Sequence, residues 1–137
     1  MKLAICTDVF ADLSYTDMLD KVKSLGIDAV EMTAGGWGAR KHCNTAELLA
    51  DEGKRKEFMG ELEKRGMRIS ALNTSCNPLW PSKTGEDYKK SMYDCATLAG
   101  LLGVKKIVAM AGLPAGNETD TTPNWITSTV SWPDFMA

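Results

Sequence analysis

Residues 65–81 read RGMRISALNTSCNPLWP, which is a glycine followed by a short apolar run and then a polar segment rich in Asn and Pro. A glycine in this position is typical of the left-handed end of a helix, and the apolar run at 68–72 is typical of a buried strand. Ligands of α/β proteins bind in the crevice beyond the carboxyl ends of such strands. The segment therefore predicts a strand that leads directly into a candidate binding loop.

The same pattern occurs twice more along the chain. Residues 25–32 (LGIDAVEM) and residues 102–110 (LGVKKIVAM) also place a glycine before an apolar run. Gly26, Gly66 and Gly103 are separated by 40 and then 37 residues, which is enough for one helix and one strand. Strands that alternate with helices in this way predict a parallel sheet with crossover helices.

The other elements follow from apolar spacing and from helix-start signals. Ser14 and Asn44 begin patterns of the capping-box type, and Gly53 is predicted to interrupt the second helical region. The predicted strands are residues 3–7, 29–32, 68–72 and 106–110. The last predicted helix starts at 84–87, and its buried face comprises Tyr88, Met92, Cys95, Ala96, Ala99 and Leu102.

Four βα units suit two α/β architectures. A small open flavodoxin-like sheet usually has a Gly or Thr/Ser phosphate-binding loop after its first strand, whereas residues 8–12 (DVFAD) contain no glycine. A complete (β/α)8 barrel needs about 250 residues, so the 137 residues here suit half of one. We predict a single α/β domain over residues 1–137 that forms the first half of a TIM barrel. Its tail from about residue 117 is predicted to be irregular, and residues 131–137 (SWPDFMA) suggest a truncated chain.

Composition excludes several functional classes. The formal net charge of −2 offers no electrostatic basis for binding nucleic acid or an anionic membrane. No apolar run approaches the roughly 20 residues that span a bilayer, and the amino terminus becomes polar at Thr7, so a cytoplasmic location is expected. The single histidine and four dispersed cysteines predict neither a structural zinc site nor a redox pair.

One segment resembles a known family. The pattern Ile69-Ser70-Ala71-Leu72-Asn73-x-Ser75-x-Asn77-Pro78-Leu79-x-Pro81 is similar to the third-strand segment of the sugar phosphate isomerase/epimerase family, the xylose-isomerase-like TIM barrels. The family often has Gly in place of Cys76 and His in place of Trp80. Supporting matches are residues 26–31 (GIDAVE), His42-Cys43, residues 47–51 (ELLAD), residues 101–104 (LLGV), and residues 123–125 and 132–135 in the loop after strand four.

The resemblance implies an enzyme that isomerises or epimerises a sugar or sugar phosphate. In that family a divalent metal (Mn, Mg, Co or Zn) is held by carboxylates and a His and chelates adjacent sugar oxygens, while a flanking carboxylate moves a proton. Those ligands lie on later strands of the barrel. We therefore expect no metal to bind to this chain alone, we identify no catalytic residue in it, and we expect the chain alone to be inactive. The sugar, the metal and the carbon that reacts stay open.

Candidate substrate-binding residues lie at or near the carboxyl ends of the predicted strands. They are Glu31, His42, Asn73, Ser75, Asn77, Trp80 and Gly112. Each also has a structural interpretation. Glu31 could pair with a neighbouring barrel residue, and His42 could pack before a helix. Asn and Ser before Pro are common turn formers, Trp37 and Trp80 could cover the barrel mouth, and Gly112 fits a plain loop. Asp8 is a further mouth residue, with no partner identified.

Two other functional classes remain as alternatives. A metal-dependent endonuclease IV-like repair enzyme of the same superfold needs several histidines and a basic face, which the single His42 and the negative net charge argue against. A non-catalytic half-barrel that associates with itself through exposed sheet edges is the structural alternative, since open edges offer unpaired backbone groups. A homo-oligomer is therefore a possible assembly.

Overall fold

A computed structural model describes residues 2–124 as a parallel sheet with helices between consecutive strands. The strands are β1 (Ile5–Cys6), β2 (Ala29–Thr33), β3 (Arg68–Thr74) and β4 (Ile107–Ala109). The helices are α1 (Tyr15–Ser24), α2 (Thr45–Ala50), α3 (Glu52–Lys64) and α4 (Lys83–Leu102), and a 3-10 turn (Thr7–Phe10) follows β1. Of the helices in the described residues, none has the length and apolar character to cross a membrane.

The strands lie in the order β1-β2-β3-β4, and each pairs in parallel with its neighbour in the sequence. A flavodoxin-like sheet instead reverses its direction of winding and places the second strand outside the first. The open flavodoxin-like alternative is therefore wrong. In a (β/α)8 barrel the parallel strands also follow one another around the sheet in sequence order, as these four strands do.

Local signals predicted most helix ends correctly. Gly26, Gly66 and Gly103 have φ values of 75°, 60° and 69°, which confirms the left-handed turns that end α1, α3 and α4. The side chains of Ser14 and Asn44 accept hydrogen bonds from backbone N–H groups three residues later, which confirms both helix starts.

Four details of the prediction are wrong. The first strand covers only Ile5–Cys6, because the chain turns into the 3-10 segment at Thr7. The break between α2 and α3 lies at Asp51, whose carboxylate accepts from the Lys54 N–H, so Gly53 is inside α3. Strand β3 extends two residues further than predicted, to Thr74, and Ala96 on α4 is exposed.

Between 110 and 123 the chain has turns and bends without a helix or strand. The predictions for residues 131–137, and the family matches at 125 and at 132–135, lie outside the described residues.

The hydrophobic core lies between the helices and one face of the sheet. Strand residues Val30, Met32, Ile69 and Leu72 pack there against side chains of all four helices. Paired residues of parallel strands point to the same side, and side chains alternate along each strand. The opposite face, which we call the inner face, therefore carries Cys6, Glu31, Thr33, Asn73 and Val108. Its polar residues lie in the middle of β2 and at or near the carboxyl ends of β1, β2 and β3.

Strand β3 contains a bulge at Ser70. Ile69 pairs with Val30, but Ala71 pairs with Glu31, so Ser70 is an extra residue in the ladder. The Ser70 hydroxyl donates to the Val30 carbonyl at 2.9 Å. Because of the bulge, Ile69 and Leu72 both face the core although they are three residues apart.

We expect replacement of Arg65 by alanine to destabilise the protein in a pH-dependent way. The Arg65 guanidinium donates to both carboxylate oxygens of Asp20 on α1, at 2.6 and 3.1 Å, and so joins α1 to the end of α3. This hydrogen bonding lowers the pKa of Asp20 below its usual value of 3.8. A lowered carboxyl pKa contributes stability above the usual value, and that contribution is lost as pH falls through the lowered pKa. The difference in melting temperature between wild type and Arg65→Ala should therefore be largest at neutral pH and shrink below about pH 3.8.

The control is Lys89→Ala, because Lys89 makes only an exposed pair with Glu86 on the same helix. This control should change the melting temperature little at either pH. A melting-temperature difference for Arg65→Ala that stays constant across the pH range would contradict the prediction.

Candidate functional site

The inner face places two predicted site residues in contact. Glu31 comes from the middle of β2 and Asn73 from the end of β3, and the Asn73 Nδ2 donates to Glu31 Oε1 at 2.6 Å. Both side chains are partly exposed. The structure thus brings together a carboxylate and an amide from adjacent strands, on the sheet face that looks away from the helices.

The orientation of the Asn73 amide is set by the next turn of the chain. Asn73 Oδ1 accepts from the Ser75 backbone N–H at 2.8 Å, so the nitrogen side of the amide faces Glu31. This is the turn-forming role of Asn, in which the side chain bonds to the backbone two residues later. Ser75 contributes its backbone to this turn, and its carbonyl accepts from the Trp37 N–H at 2.9 Å.

The loop after β2 covers part of the inner face. A Cβ on Gly38 would lie 2.2 Å from Thr33 Cγ2 and 2.6 Å from Asp8 Oδ2, so a larger residue here would force these side chains to move. The close approach explains why Thr33 is buried although it lies on the inner face. Asp8, for which the sequence offered no partner, therefore lies beside the loop at the end of β1.

Asn77 has a structural position. It is fully buried, its Nδ2 donates to the Leu113 carbonyl at 2.9 Å, and its Oδ1 accepts from the N–H groups of Leu79 (3.1 Å) and Leu113 (2.9 Å). Asn77 thus joins the loop after β3 to the loop after β4. Gly112, with φ of 85°, passes so close that a Cβ there would lie 2.3 Å from Asn77 Oδ1. The backbone of Gly112 therefore packs directly against Asn77, and both residues hold the loops together.

His42 also makes a structural contact. It is 6% exposed, and its Nε2 lies 3.1 Å from the Leu13 carbonyl oxygen. Because a carbonyl can only accept, this contact places a proton on Nε2. His42 therefore joins the loop before α2 to the loop before α1.

Three aromatic rings form a rim cluster, defined here as Trp37, Tyr88 and Trp80. The Trp37 indole N–H donates to the Tyr88 hydroxyl at 2.7 Å, and the two rings meet edge to face at 6.1 Å between centroids. Trp80 meets Tyr88 in a similar way at 6.5 Å. The sequence analysis assigned Tyr88 only to the buried face of α4. Tyr88 lies near the start of that helix, close to the loop after β3, so its polar hydroxyl was the signal that it could contact loop residues.

Cys6, Thr33 and Val108 also lie on the inner face and are absent from the residues predicted from the sequence. Cys6 and Thr33 are in contact. Their side chains lie 3.8 Å apart (Sγ to Oγ1). Since strand residues alternate between faces, the position two residues after Glu31 was enough to place Thr33 on the same side.

The residues from 2 to 124 include no group of three or more His, Cys, Asp or Glu side chains that could hold a metal ion. The divalent metal implied by the family resemblance therefore does not fit the donor set of these residues. We derive no chemical step through a metal from this part of the chain.

Clefts in the described residues lie away from the Glu31–Asn73 pair. One of about 700 Å³ lies between the loop after β2 and α4, and is lined by Arg40, Lys41, Asn44, Lys90 and Asp94 among others. Another of about 530 Å³ includes His42. Glu31 and Asn73 line neither of these clefts, and the candidate site is defined by their positions on the inner face of β2 and β3.

A comparison with a solved structure supports the fold. The crystal structure of the probable 3-DHS dehydratase AsbF from Bacillus anthracis, described as involved in petrobactin synthesis, superimposes with a TM-score of 0.53 at 22% identity, over 82% of this chain and 39% of AsbF. The chain has the fold of half a (β/α)8 barrel. A xylose isomerase domain-containing protein from Salmonella typhimurium LT2 is similar over 90% of this chain and 40% of its own, with a TM-score of 0.48 and 19% identity.

Among curated proteins, the chain is 52% identical over 136 residues to YfiH of Bacillus subtilis strain 168, an uncharacterised protein. The match covers 99% of this chain and 44% of YfiH, so the chain spans less than half the length of this relative. No protein-family model matches the chain.

Cysteine reactivity gives a test of the inner face. Burial raises the pKa of Cys43 and of Cys95 to about 11 each, and burial also raises the pKa of Cys76. Because the thiolate is the reactive form, these three thiols should react slowly with iodoacetamide at pH 8. Cys6 is only half-buried and should be labelled first. Mass spectrometry of the native protein, with a urea-unfolded control, measures the order. Equal labelling of Cys43 in both samples would contradict it.

Proposed function

We propose that this chain forms half of a barrel enzyme that isomerises or epimerises a sugar or sugar phosphate. The observation that carries the proposal is the Glu31–Asn73 contact on the inner face, where Glu31 lies in the middle of β2 and Asn73 lies next to the carboxyl end of the adjacent strand β3. Catalytic and binding residues of (β/α)8 enzymes occupy this end of the barrel. The family resemblance of residues 69–81 gives the reaction class.

The residues described here would bind and orient the substrate. A carboxylate such as Glu31 accepts hydrogen bonds from sugar hydroxyls, and Asn73 retains a second N–H that can donate to a sugar oxygen. The divalent metal of the proposal, Mn, Mg, Co or Zn, would stabilise negative charge on the sugar oxygens when bound. Its ligands would have to come from residues other than those described.

Exchange of a carbon-bound proton with solvent tests the proposed reaction. Full-length YfiH, incubated with aldoses, ketoses and their phosphates in D2O with each of the four metals, should incorporate deuterium next to the carbonyl carbon of one sugar. The 137-residue chain alone should not, and adding the part of YfiH that this chain does not match should restore incorporation. If YfiH exchanges no sugar with any metal, the proposed function is wrong. Turnover by the chain alone would refute its predicted inactivity.

Self-association is a second candidate property, and the exposed edge strand favours it. Ile107, Val108 and Met110 in and after β4 are each about 40% exposed, and Leu3 before β1 is 61% exposed. In the described residues, β4 pairs with β3 alone and β1 with β2 alone. Apolar edges of this kind pair readily with other strands.

We therefore expect the purified 137-residue chain to form dimers or larger species as its concentration rises. Val108→Lys should shift this equilibrium toward monomer, because charged side chains on edge strands oppose pairing. Size-exclusion chromatography with light scattering measures the change. Lys106→Arg is the matched control, since it keeps the charge on the neighbouring exposed residue. A monomer at all concentrations would contradict the prediction.

A further inference from the structure

We propose that Glu31 and Asn73 together bind two adjacent oxygens of a polyhydroxylated ligand, with Asn73 as the residue that positions Glu31. This inference rests on the proposed function and narrows it. It assigns the inner face a ligand chemistry, namely an adjacent pair of hydroxyls or a hydroxyl beside a carbonyl.

The hydrogen bonds of the pair leave one acceptor and one donor unused. Glu31 Oε1 is occupied by Asn73, and within residues 2–124 the structure shows no further hydrogen bond to the Glu31 carboxylate. Asn73 uses one N–H for Glu31 and its Oδ1 for Ser75. One acceptor oxygen of Glu31 and one N–H of Asn73 are therefore left over, on side chains that are 2.6 Å apart at their contact.

The orientation of the Asn73 side-chain amide is fixed by its hydrogen bond with Ser75. Asn73 cannot present its oxygen to Glu31, because the Ser75 N–H requires an acceptor at Oδ1. The donor and the acceptor thus have fixed places, with the donor on β3 and the acceptor on β2. The free N–H of Asn73 can donate to one ligand oxygen, and the free carboxylate oxygen of Glu31 can accept from a hydroxyl on the neighbouring carbon.

The negative charge of the Glu31 carboxylate limits which part of a ligand can bind beside it. A carboxylate at this position repels phosphate and carboxylate groups, so the pair selects the neutral, hydroxylated part of a ligand. Val108 lies beside Asn73 on the inner face and offers apolar surface next to the pair. A phosphate group of a sugar phosphate would therefore bind elsewhere in the barrel.

Two isosteric variants and their combination test the pair. Glu31→Gln keeps the size of the side chain and removes the charge, and should weaken binding of xylitol about tenfold. Asn73→Asp places two carboxylates in contact and should lower the melting temperature as well as abolish binding. In the double variant, the amide introduced on β2 can donate to the carboxylate introduced on β3, so the melting temperature should recover. Binding should not, because donor and acceptor have exchanged places.

The measurement is titration of the 15N-labelled full chain with xylitol, followed by NMR at the Asn73 side-chain amide. The control ligand is 1,3-propanediol, whose hydroxyls are not adjacent, and it should leave that resonance unchanged. The control variant is Lys89→Ala, which changes an exposed residue of α4 that pairs with Glu86 on the same helix, and it should bind xylitol as wild type does.

Three results would overturn the inference. They are the absence of a shift at Asn73 with xylitol in the wild-type chain, unchanged affinity in Glu31→Gln, or recovery of binding together with stability in the double variant. The last result would show that the Glu31–Asn73 contact only stabilises the fold, because binding would not depend on which strand carries the donor. These results are independent of the deuterium-exchange assay, so xylitol binding without sugar turnover would reject the proposed function alone, and turnover without this binding would reject the inference alone.

Discussion

Replacement of Gly85 by alanine is expected to destabilise the protein by about 3 kcal/mol, because overpacking against a backbone atom cannot be relieved by a side-chain rotation. Gly85 is buried in the first turn of α4, directly beneath the loop after β3. A Cβ there would lie 1.9 Å from the Trp80 carbonyl oxygen and 2.9 Å from the Trp80 carbonyl carbon. Either the helix start or the loop must move. Urea denaturation followed by circular dichroism measures the loss.

Gly100→Ala is the matched control on the same helix. A Cβ at Gly100 meets no atom within 4 Å, and the residue is exposed. Alanine there should stabilise the protein by roughly 0.5–1 kcal/mol, because glycine in a helix interior costs that much. If the two variants have the same stability, the close packing of α4 against the loop is not present in solution.

Replacement of Asn77 by alanine is expected to cost about 3 kcal/mol, since it leaves several buried backbone groups without partners. The side chain makes three hydrogen bonds, to the N–H groups of Leu79 and Leu113 and to the Leu113 carbonyl. Two of the three join the loop after β3 to the loop after β4. Thermal unfolding measures the stability, and hydrogen exchange at the Leu113 amide should accelerate in the variant.

Ser75→Ala is the control for this loop, because the Ser75 hydroxyl makes no hydrogen bond with other residues of the described part of the chain. It should change stability by less than about 0.5 kcal/mol. An Asn77→Ala variant as stable as Ser75→Ala would show that water replaces the lost partners, and that the two loops are not held together by this side chain.

The sequence predicted those features that depend on neighbouring residues. The helix ends at Gly26, Gly66 and Gly103 were predictable because a left-handed cap is a local property of glycine. The helix starts at Ser14 and Asn44 were predictable for a similar reason, since their side chains bond to N–H groups three residues away. The parallel sheet followed from the order of these elements.

The roles of the polar loop residues could not be separated from sequence alone. Asn73 and Asn77 are both Asn residues in one short segment, yet Asn73 faces the open inner face and Asn77 is fully buried. The difference arises from contacts with Glu31 and Leu113, which are 42 and 36 residues away in the chain. The end of the first strand was missed because Thr7 turns inward, where its hydroxyl accepts from the Thr33 N–H.

The extra residue Ser70 has a consequence for alignment and for protein engineering. Before Ser70 the odd-numbered residues of β3 face the core, as Ile69 does, and after it the even-numbered residues do, as Leu72 does. Deletion of Ser70 would remove the bulge and leave a regular strand, in which Leu72 still pairs with Met32 on the core side and Asn73 still pairs with Thr33 on the inner face. A deletion elsewhere in β3 would instead exchange the faces of the positions on one side of it. Chimeras should therefore be joined before Arg68 or after Thr74, and an ungapped comparison with a relative that lacks this residue would assign the wrong side chains to the site.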